Sequence, residues 1–260
     1  MNVDDRPIGF FDSGVGGISV LKEAIKILPG ENFIYFGDSL NAPYGIKSVE
    51  EVKNLTFKAV EFLVENNIKA VVIACNTATS AAIIDIREKY STNIPVIGIE
   101  PALKPAVEYK RKGKIIIMAT PMTLSEVKFN DLMKSYENQA EIQPLPCPGL
   151  VELIEQGITE GEIVKAYLRE KLSPFGKEGI AAIVLGCTHY PFIKKSISEI
   201  LISKVPIIDG SKGTAQQLKR QLIKRNIIST KKNGGKVVIN NSLKSNDIIE
   251  LSYKLLNLID

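Results

Sequence analysis

Three cysteines stand in the 260-residue chain, at positions 75, 147 and 187, and two of them share a context. Ala70-Val-Val-Ile-Ala74 runs into Cys75-Asn76-Thr77, and Ala181-Ala-Ile-Val-Leu-Gly186 runs into Cys187-Thr188-His189. Each apolar run reads as a buried strand, which places each thiol at a strand's carboxyl end, where open α/β sheets bind ligands. Two such thiols can face one cleft from opposite sides, an arrangement suited to moving a proton across a carbon centre. A cysteine on an apolar strand is often only a small hydrophobe. Here Asn76, Thr77 and Thr79 make a polar turn after the first thiol, and amides opening the following helix can hold a carboxylate or lower a thiol pKa.

His189 is the single histidine of the chain and lies two residues after Cys187. A lone histidine is commonly structural, but an imidazole beside a strand-end thiol can take or lend a proton near neutrality. Zinc needs three or four ligands at close paired spacing, which these residues lack, so no metal is expected. Asp12-Ser13 follows the first strand and brings a carboxylate and a hydroxyl to the same sheet edge as Cys75; Asp12 capping the next helix is the plainer alternative. Glycines 14, 16 and 17 free backbone for close approach, and with Asp38 they form a near miss to a dinucleotide fingerprint. Cys147, between prolines in a loop, reads as structural. Glu152 points either into the cleft or into water.

The elements that must carry these residues alternate between strand and helix, which argues for parallel sheets. Strands are expected over 8–11, 33–36, 70–74 and 95–98, with a helix through Leu28 stopped by Pro29-Gly30, a second opened by the capping box Ser48-x-x-Glu51, and a third running to about Tyr90. The pattern then restarts: a helix to about Tyr109, strand 114–118, helix 123–136, strand 140–145, helical turns to Gln156, a helix capped by Thr159-x-x-Glu162, and strands 181–185 and 205–208. A helix at 212–225, strand 237–240 and helix 246–258 pack back onto the first half. The expected fold class is α/β, with two doubly wound parallel-sheet domains facing across a central cleft. The expected division is 1–97 plus 210–260, carrying Cys75, and 98–209, carrying Cys187.

Composition bounds the rest. The chain is 45% hydrophobic and 24% charged, inside the range of globular proteins, and no apolar run reaches the ~18 residues of a membrane span. The opening residues lack a signal-peptide pattern, so a cytoplasmic location is expected. Net charge is only +4. Its densest basic stretch, 219–232, interleaves with Leu218, Leu222, Ile223, Ile227 and Ile228 at helical spacing and reads as a solvated helix face, not a nucleic-acid surface. Three cysteines cannot all pair and no Cys-x-x-Cys is present, which fits free thiols in a reducing compartment.

Five motifs in order resemble the glutamate racemase family, within the cofactor-independent aspartate and glutamate racemases: Phe11-Asp-Ser-Gly-Val-Gly-Gly17, Gly37-Asp-Ser-Leu-Asn-Ala-Pro-Tyr-Gly45, Ala74-Cys-Asn-Thr-Ala-Thr79, Val96-Ile-Gly-Ile-Glu-Pro101 and Leu185-Gly-Cys-Thr-His-Tyr-Pro191. The resemblance implies interconversion of L- and D-glutamate without a cofactor, supply of D-glutamate for peptidoglycan, and a possible homodimer. It implies Cys75 and Cys187 as acid/base thiols, with Asp12, His189 and Glu152 as helpers. Substrate would be held by Asp12, Ser13, Pro43, Tyr44, Gly45, Asn76, Thr77, Thr188 and His189. Thr188-His189 favours glutamate, since the aspartate enzymes of this group tend to carry Glu after Cys-Thr.

Overall fold

The computed structural model describes residues 4–175, 179–201 and 204–258; Met1, Asn2 and Val3 of the opening segment discussed above lie outside them. The first half runs β1 (Ile8–Asp12), α1 (Ile18–Ile27), β2 (Phe33–Gly37), α2 (Val49–Glu65), β3 (Ala70–Ile73), α3 (Asn76–Tyr90) and β4 (Val96–Gly98). The chain then builds α4 (Leu103–Glu108), β5 (Lys114–Ala119), α5 (Pro121–Ser125), α6 (Val127–Lys134), β6 (Ile142–Pro146), α7 (Leu150–Glu155), α8 (Glu162–Leu172), β7 (Ile180–Leu185), α9 (Lys194–Ile200) and β8 (Ile207–Asp209). It returns through α10 (Ser211–Lys224), β9 (Val237–Asn241) and α11 (Asn246–Leu256).

The strands form two sheets, ordered β4-β3-β1-β2-β9 and β6-β5-β7-β8, with every recorded pairing parallel. Helices cover both faces of the first sheet, so its strands are apolar throughout. Along β1 and β3 the period of two divides the side chains: Ile8, Phe10, Ala70 and Val72 pack with α1, α10 and α11, while Phe11, Val71 and Ile73 pack with α2 and α3. The second sheet divides likewise, with Ile116 and Met118 on one face and Ile115 and Ile117 on the other.

Strand order fixes where a ligand can sit. From β1 the chain moves to β2 on one side, and from β3 it moves to β4 on the other, so the loops after β1 and β3 diverge and leave a crevice between them. In the second sheet the loops after β5 and β7 diverge in the same way. These are the topological switch points of the two sheets. The loops at the first carry Ser13 and Cys75, and those at the second carry Thr120 and Cys187.

Local chemistry explains several boundaries. Ser48 caps α2 by accepting from the Glu51 amide at 3.2 Å, as its capping-box spacing predicts. The helix expected over 123–136 is instead two, broken where Glu126 adopts extended backbone. Thr159 does not cap α8: the helix starts later, behind Gly161 at φ +92°, and the Thr159 carbonyl accepts from Ser196. The basic stretch is helical only as far as Lys224, and Ile227 and Ile228 turn inward against the first core. β6 contains Pro144 and Pro146, which an edge strand tolerates. The chain leaves the first sheet after β4 and re-enters after β8, and these crossings touch: a Cβ on Gly210 would lie 2.4 Å from the Glu100 carbonyl oxygen.

Candidate active site

The carboxyl ends of the two sheets meet, and direct hydrogen bonds join them. Thr188 donates its hydroxyl to Asp12 Oδ2 at 2.8 Å, Ser19 donates to the Thr188 carbonyl at 2.9 Å, and the Val15 amide donates to Glu155 Oε1 at 2.7 Å. Ser39 donates to Glu155 Oε2 at 2.9 Å, and Thr77 Oγ1 lies 3.2 Å from that of Thr120 and 3.1 Å from that of Thr123. The glycines of the first loop make this approach possible. A Cβ on Gly14 would lie 1.9 Å from Glu155, and one on Gly16 would lie 2.4 Å from His189 Nδ1. Their space is taken by side chains of the opposite sheet, which is a different use from the phosphate approach of a dinucleotide fingerprint.

Cys75 is the N-cap of α3. Its sulfur accepts from the Ala78 amide at 3.4 Å and lies 3.4 Å from Ser13 Oγ. Burial pushes the Cys75 thiol up to about 12, Asp12 adds to this, and Cys187 is near enough to contribute; the hydrogen bonds from Ser13 and Ala78 oppose it. Asp12 is completely buried, accepts from the Gly14 amide at 3.0 Å, and does not cap a helix, since Gly17 holds the N-cap of α1. Burial raises its carboxyl, against the opposing pull of His189, Thr188 and the Gly14 amide.

Around the second sulfur the surroundings differ. His189 Nδ1 lies 3.7 Å from Cys187 Sγ, and its Nε2 lies 2.5 Å from Glu155 Oε1. Burial alone would lower the His189 pKa, yet the hydrogen bonds to Cys187 and Glu155 outweigh it and hold the imidazole well above its usual value. Burial would likewise lift Glu155, but His189, Val15 and Ser39 hold its carboxyl below the usual range. Cys75 and Cys187 are 5% and 7% exposed, so both sulfurs are largely dry.

The structure brings Asp12, Ser13, Cys75, Asn76, Thr77, Cys187, Thr188 and His189 to this junction. Tyr44 and Gly45 reach it behind the cis Ala42–Pro43 peptide: Tyr44 donates to Asp38 at 2.7 Å, and Gly45 lies against Thr120. Glu152 is not the carboxylate that meets His189. Glu155, three residues further along α7, takes that place. Glu155 ends the same short helix and was open to the same reading as Glu152, so a helix register separates the two. Thr120 and Thr123 were also missed, although Thr120 stands after β5 as Cys75 stands after β3, and its hydroxyl caps α5 by accepting from the Thr123 amide at 3.2 Å. Cys147 is buried in the same core cluster as Cys187, with its thiol directed to the Leu145 carbonyl at 3.4 Å and its own carbonyl accepting from Tyr190 at 3.2 Å.

Residues 16–218 match the family model described as Asp/Glu/Hydantoin racemase. The chain is 70% identical over 256 residues to a glutamate racemase of Clostridium kluyveri, covering 98% of this chain and 99% of that protein. It is 67% identical over 258 residues to one from Clostridium acetobutylicum, covering 99% and 100%. Its fold superposes with a TM-score of 0.84 on the crystal structure of Francisella tularensis glutamate racemase in complex with D-glutamate, at 33% identity over 98% of this chain and 95% of that one. With two buried thiols at facing switch points and this likeness along its whole length, the chain belongs to the glutamate racemase family.

Proposed function

We propose that the chain interconverts L- and D-glutamate by a two-thiol mechanism, one thiolate removing the α-proton while the opposite thiol delivers a proton to the other face of the carbanion. The observation that carries this reading is the placement of Cys75 and Cys187 at the switch points of two sheets whose carboxyl ends meet. The C–H bond breaks toward one sulfur and a new C–H bond forms from the other. Each turnover therefore leaves the two sulfurs with exchanged protonation states, and either the reverse reaction or proton exchange with solvent, one sulfur losing and the other gaining a proton, resets them. Burial and Asp12 favour the protonated form of Cys75 in the arrangement described, and His189 Nδ1 lies within reach of the Cys187 sulfur to exchange a proton with it.

An α-proton is a very weak acid, and a dry site with fixed donors is what stabilises charge growing on the substrate carboxylate. Ser13, Asn76, Thr77, Thr188 and the Tyr44-Gly45 backbone supply neutral donors. Thr120 and Thr123 extend them from the second sheet. Glu155 acts through His189, and Asp12 stands beside the first thiol.

The substrate site lies between two lobes, 1–97 with 210–260 and 98–209, and opens by their separation. Among the described residues no helix is long and apolar enough to cross a membrane. The reading extends to a cytoplasmic homodimer that supplies D-glutamate for peptidoglycan. The test is circular dichroism of purified protein with L-glutamate and no added cofactor, run in deuterated water. Loss of ellipticity with deuterium entering at the α-carbon is expected. An unchanged signal with L-glutamate, or racemisation of aspartate in preference, overturns the reading.

A further inference from the structure

Behind the Glu155–His189 contact the hydrogen bonds continue into the first sheet. Ser39, in the loop after β2, donates its hydroxyl to Glu155 Oε2 at 2.9 Å, and Asn241, the last residue of β9, donates Nδ2 to Ser39 Oγ at 2.9 Å. β9 pairs with β2 at the edge of the sheet, with Asn241 opposite Gly37, and the glycine leaves room for the amide: a Cβ there would lie 3.0 Å from Asn241 Nδ2. Asn241 is 6% exposed, and its Oδ1 is committed to the Leu243 amide at 3.0 Å, which fixes the end of the side chain that faces Ser39. A serine hydroxyl has one proton to give. With Asn241 donating to the oxygen, that proton goes to Glu155.

Glu155 therefore accepts on both oxygens, from the Val15 amide and His189 on Oε1 and from Ser39 on Oε2. A carboxylate so supplied stays ionised and has no proton to lend, so the proton between it and the ring sits on His189 Nε2. Nδ1, 3.7 Å from Cys187 Sγ, is then the nitrogen that exchanges a proton with the sulfur. We propose that Ser39 and Asn241 are positioning residues for the second thiol, Asn241 orienting the Ser39 hydroxyl and Ser39 holding the Glu155 carboxylate where it keeps His189 Nδ1 turned to Cys187. This role rests on the two-thiol reading and gives β9, the outer strand of the first sheet, a part in the chemistry of the second. Ser39 and Val15 donate from loops of the first sheet while Glu155 accepts from α7 of the second, so the full donor set exists only where the sheet ends meet.

The test compares Ser39→Ala, Asn241→Ala, the double variant and Ser39→Thr in the full chain. Ser39→Ala should lower kcat about fivefold and Asn241→Ala about threefold, each with KM within about twofold, and Ser39→Thr, which keeps the hydroxyl, should restore kcat to within about twofold. Asn241 acts through Ser39, so the double variant should lose no more than Ser39→Ala alone; losses that multiply to about 15-fold would overturn the serial arrangement. Ser242→Ala removes a neighbouring tie, the one that accepts from the Leu40 amide at 3.0 Å, and should leave kcat within about twofold; an equal loss there would show that loop order, not the chain of contacts, matters. The second readout is the ring NMR titration of His189. A carboxylate free to turn away stabilises the imidazolium less, so Ser39→Ala should move the midpoint to lower pH, and an unchanged or higher midpoint would overturn the positioning role. Besides Glu155, the ionisable groups acting on the ring are Cys187 and Asp12, which these variants leave in place. The Ser39 variants, in a partly exposed loop, carry the test should Asn241→Ala fold poorly. The titration needs no turnover, so it reads the Ser39–Glu155–His189 contacts even where the racemisation assay of the parent chain fails the two-thiol reading.

Discussion

The two thiols occupy equivalent places in two sheets, and their neighbours are opposite in character. Cys75 faces a buried carboxylate, Asp12, and accepts a helix-capping amide, so its proton is held firmly. Cys187 faces an imidazole whose own proton is held by Glu155. One half-site sets a carboxylate beside its sulfur and the other an imidazole. A racemase must present one acid and one base at the same time, and the two half-sites surround their sulfurs with different proton-handling groups. The supporting groups are also distributed unequally, because the carboxylate behind His189 reaches across to the Val15 amide and Ser39 of the first sheet.

Removing either sulfur should have the largest effect. Cys75→Ser and Cys187→Ser should each lower racemisation by about 10³-fold or more, while solvent deuterium still exchanges into a single enantiomer, a different one for each variant. Exchange into the same enantiomer by both would erase the distinction between the half-sites. Next comes the contact that lets them meet. Gly16→Ala sets a methyl 2.4 Å from His189 Nδ1 and 2.7 Å from Thr188 Oγ1, and kcat should fall about 100-fold with little change in Tm. A Gly16→Ala enzyme with normal kcat would show that the junction opens without loss of chemistry.

Glu155→Gln tests the second half-site alone, with kcat falling about 10-fold. Glu155 raises the His189 pKa, so its removal lowers that pKa, and the imidazole loses its proton at lower pH. The basic limb of the kcat/KM profile should move to lower pH, as should the ring NMR titration, which is unambiguous because His189 is the single histidine. A shift to higher pH would contradict the assigned contact. The smallest effect belongs to the third thiol: Cys147→Ala should leave kcat within about twofold and cost about 1–2 kcal/mol of stability, read by chemical denaturation.

The switch-point thiols were legible because they need only a strand end and a polar turn, both local features. Strand periodicity also gave the parallel α/β architecture, since buried strands read as apolar runs whichever sheet they join. Glu155 was not legible, because choosing between it and Glu152 requires knowing which side of a six-residue helix faces the opposite sheet. The glycines at 14 and 16 were noticed but their purpose was not. A glycine that makes room for a side chain from 140 residues or more along the chain looks the same in sequence as one that makes room for a phosphate. The cap at Thr159 and the helical reading of Ile227 and Ile228 failed for a related reason: these residues follow tertiary contacts, with Ser196 and with the first core, over their local propensity, while the helix expected over 212–225 ends within one residue of its place.

The touching crossings at Glu100 and Gly210 carry a consequence for architecture. A segment whose entry and exit points meet is topologically an insert, hung on its host like a door on paired leaves. On the reading proposed above, swinging such a door would alter a few torsions near the jamb and leave both frames rigid, admitting substrate without either sheet repacking. The same layout lets a chain be cut and rejoined at that seam with its internal wiring intact.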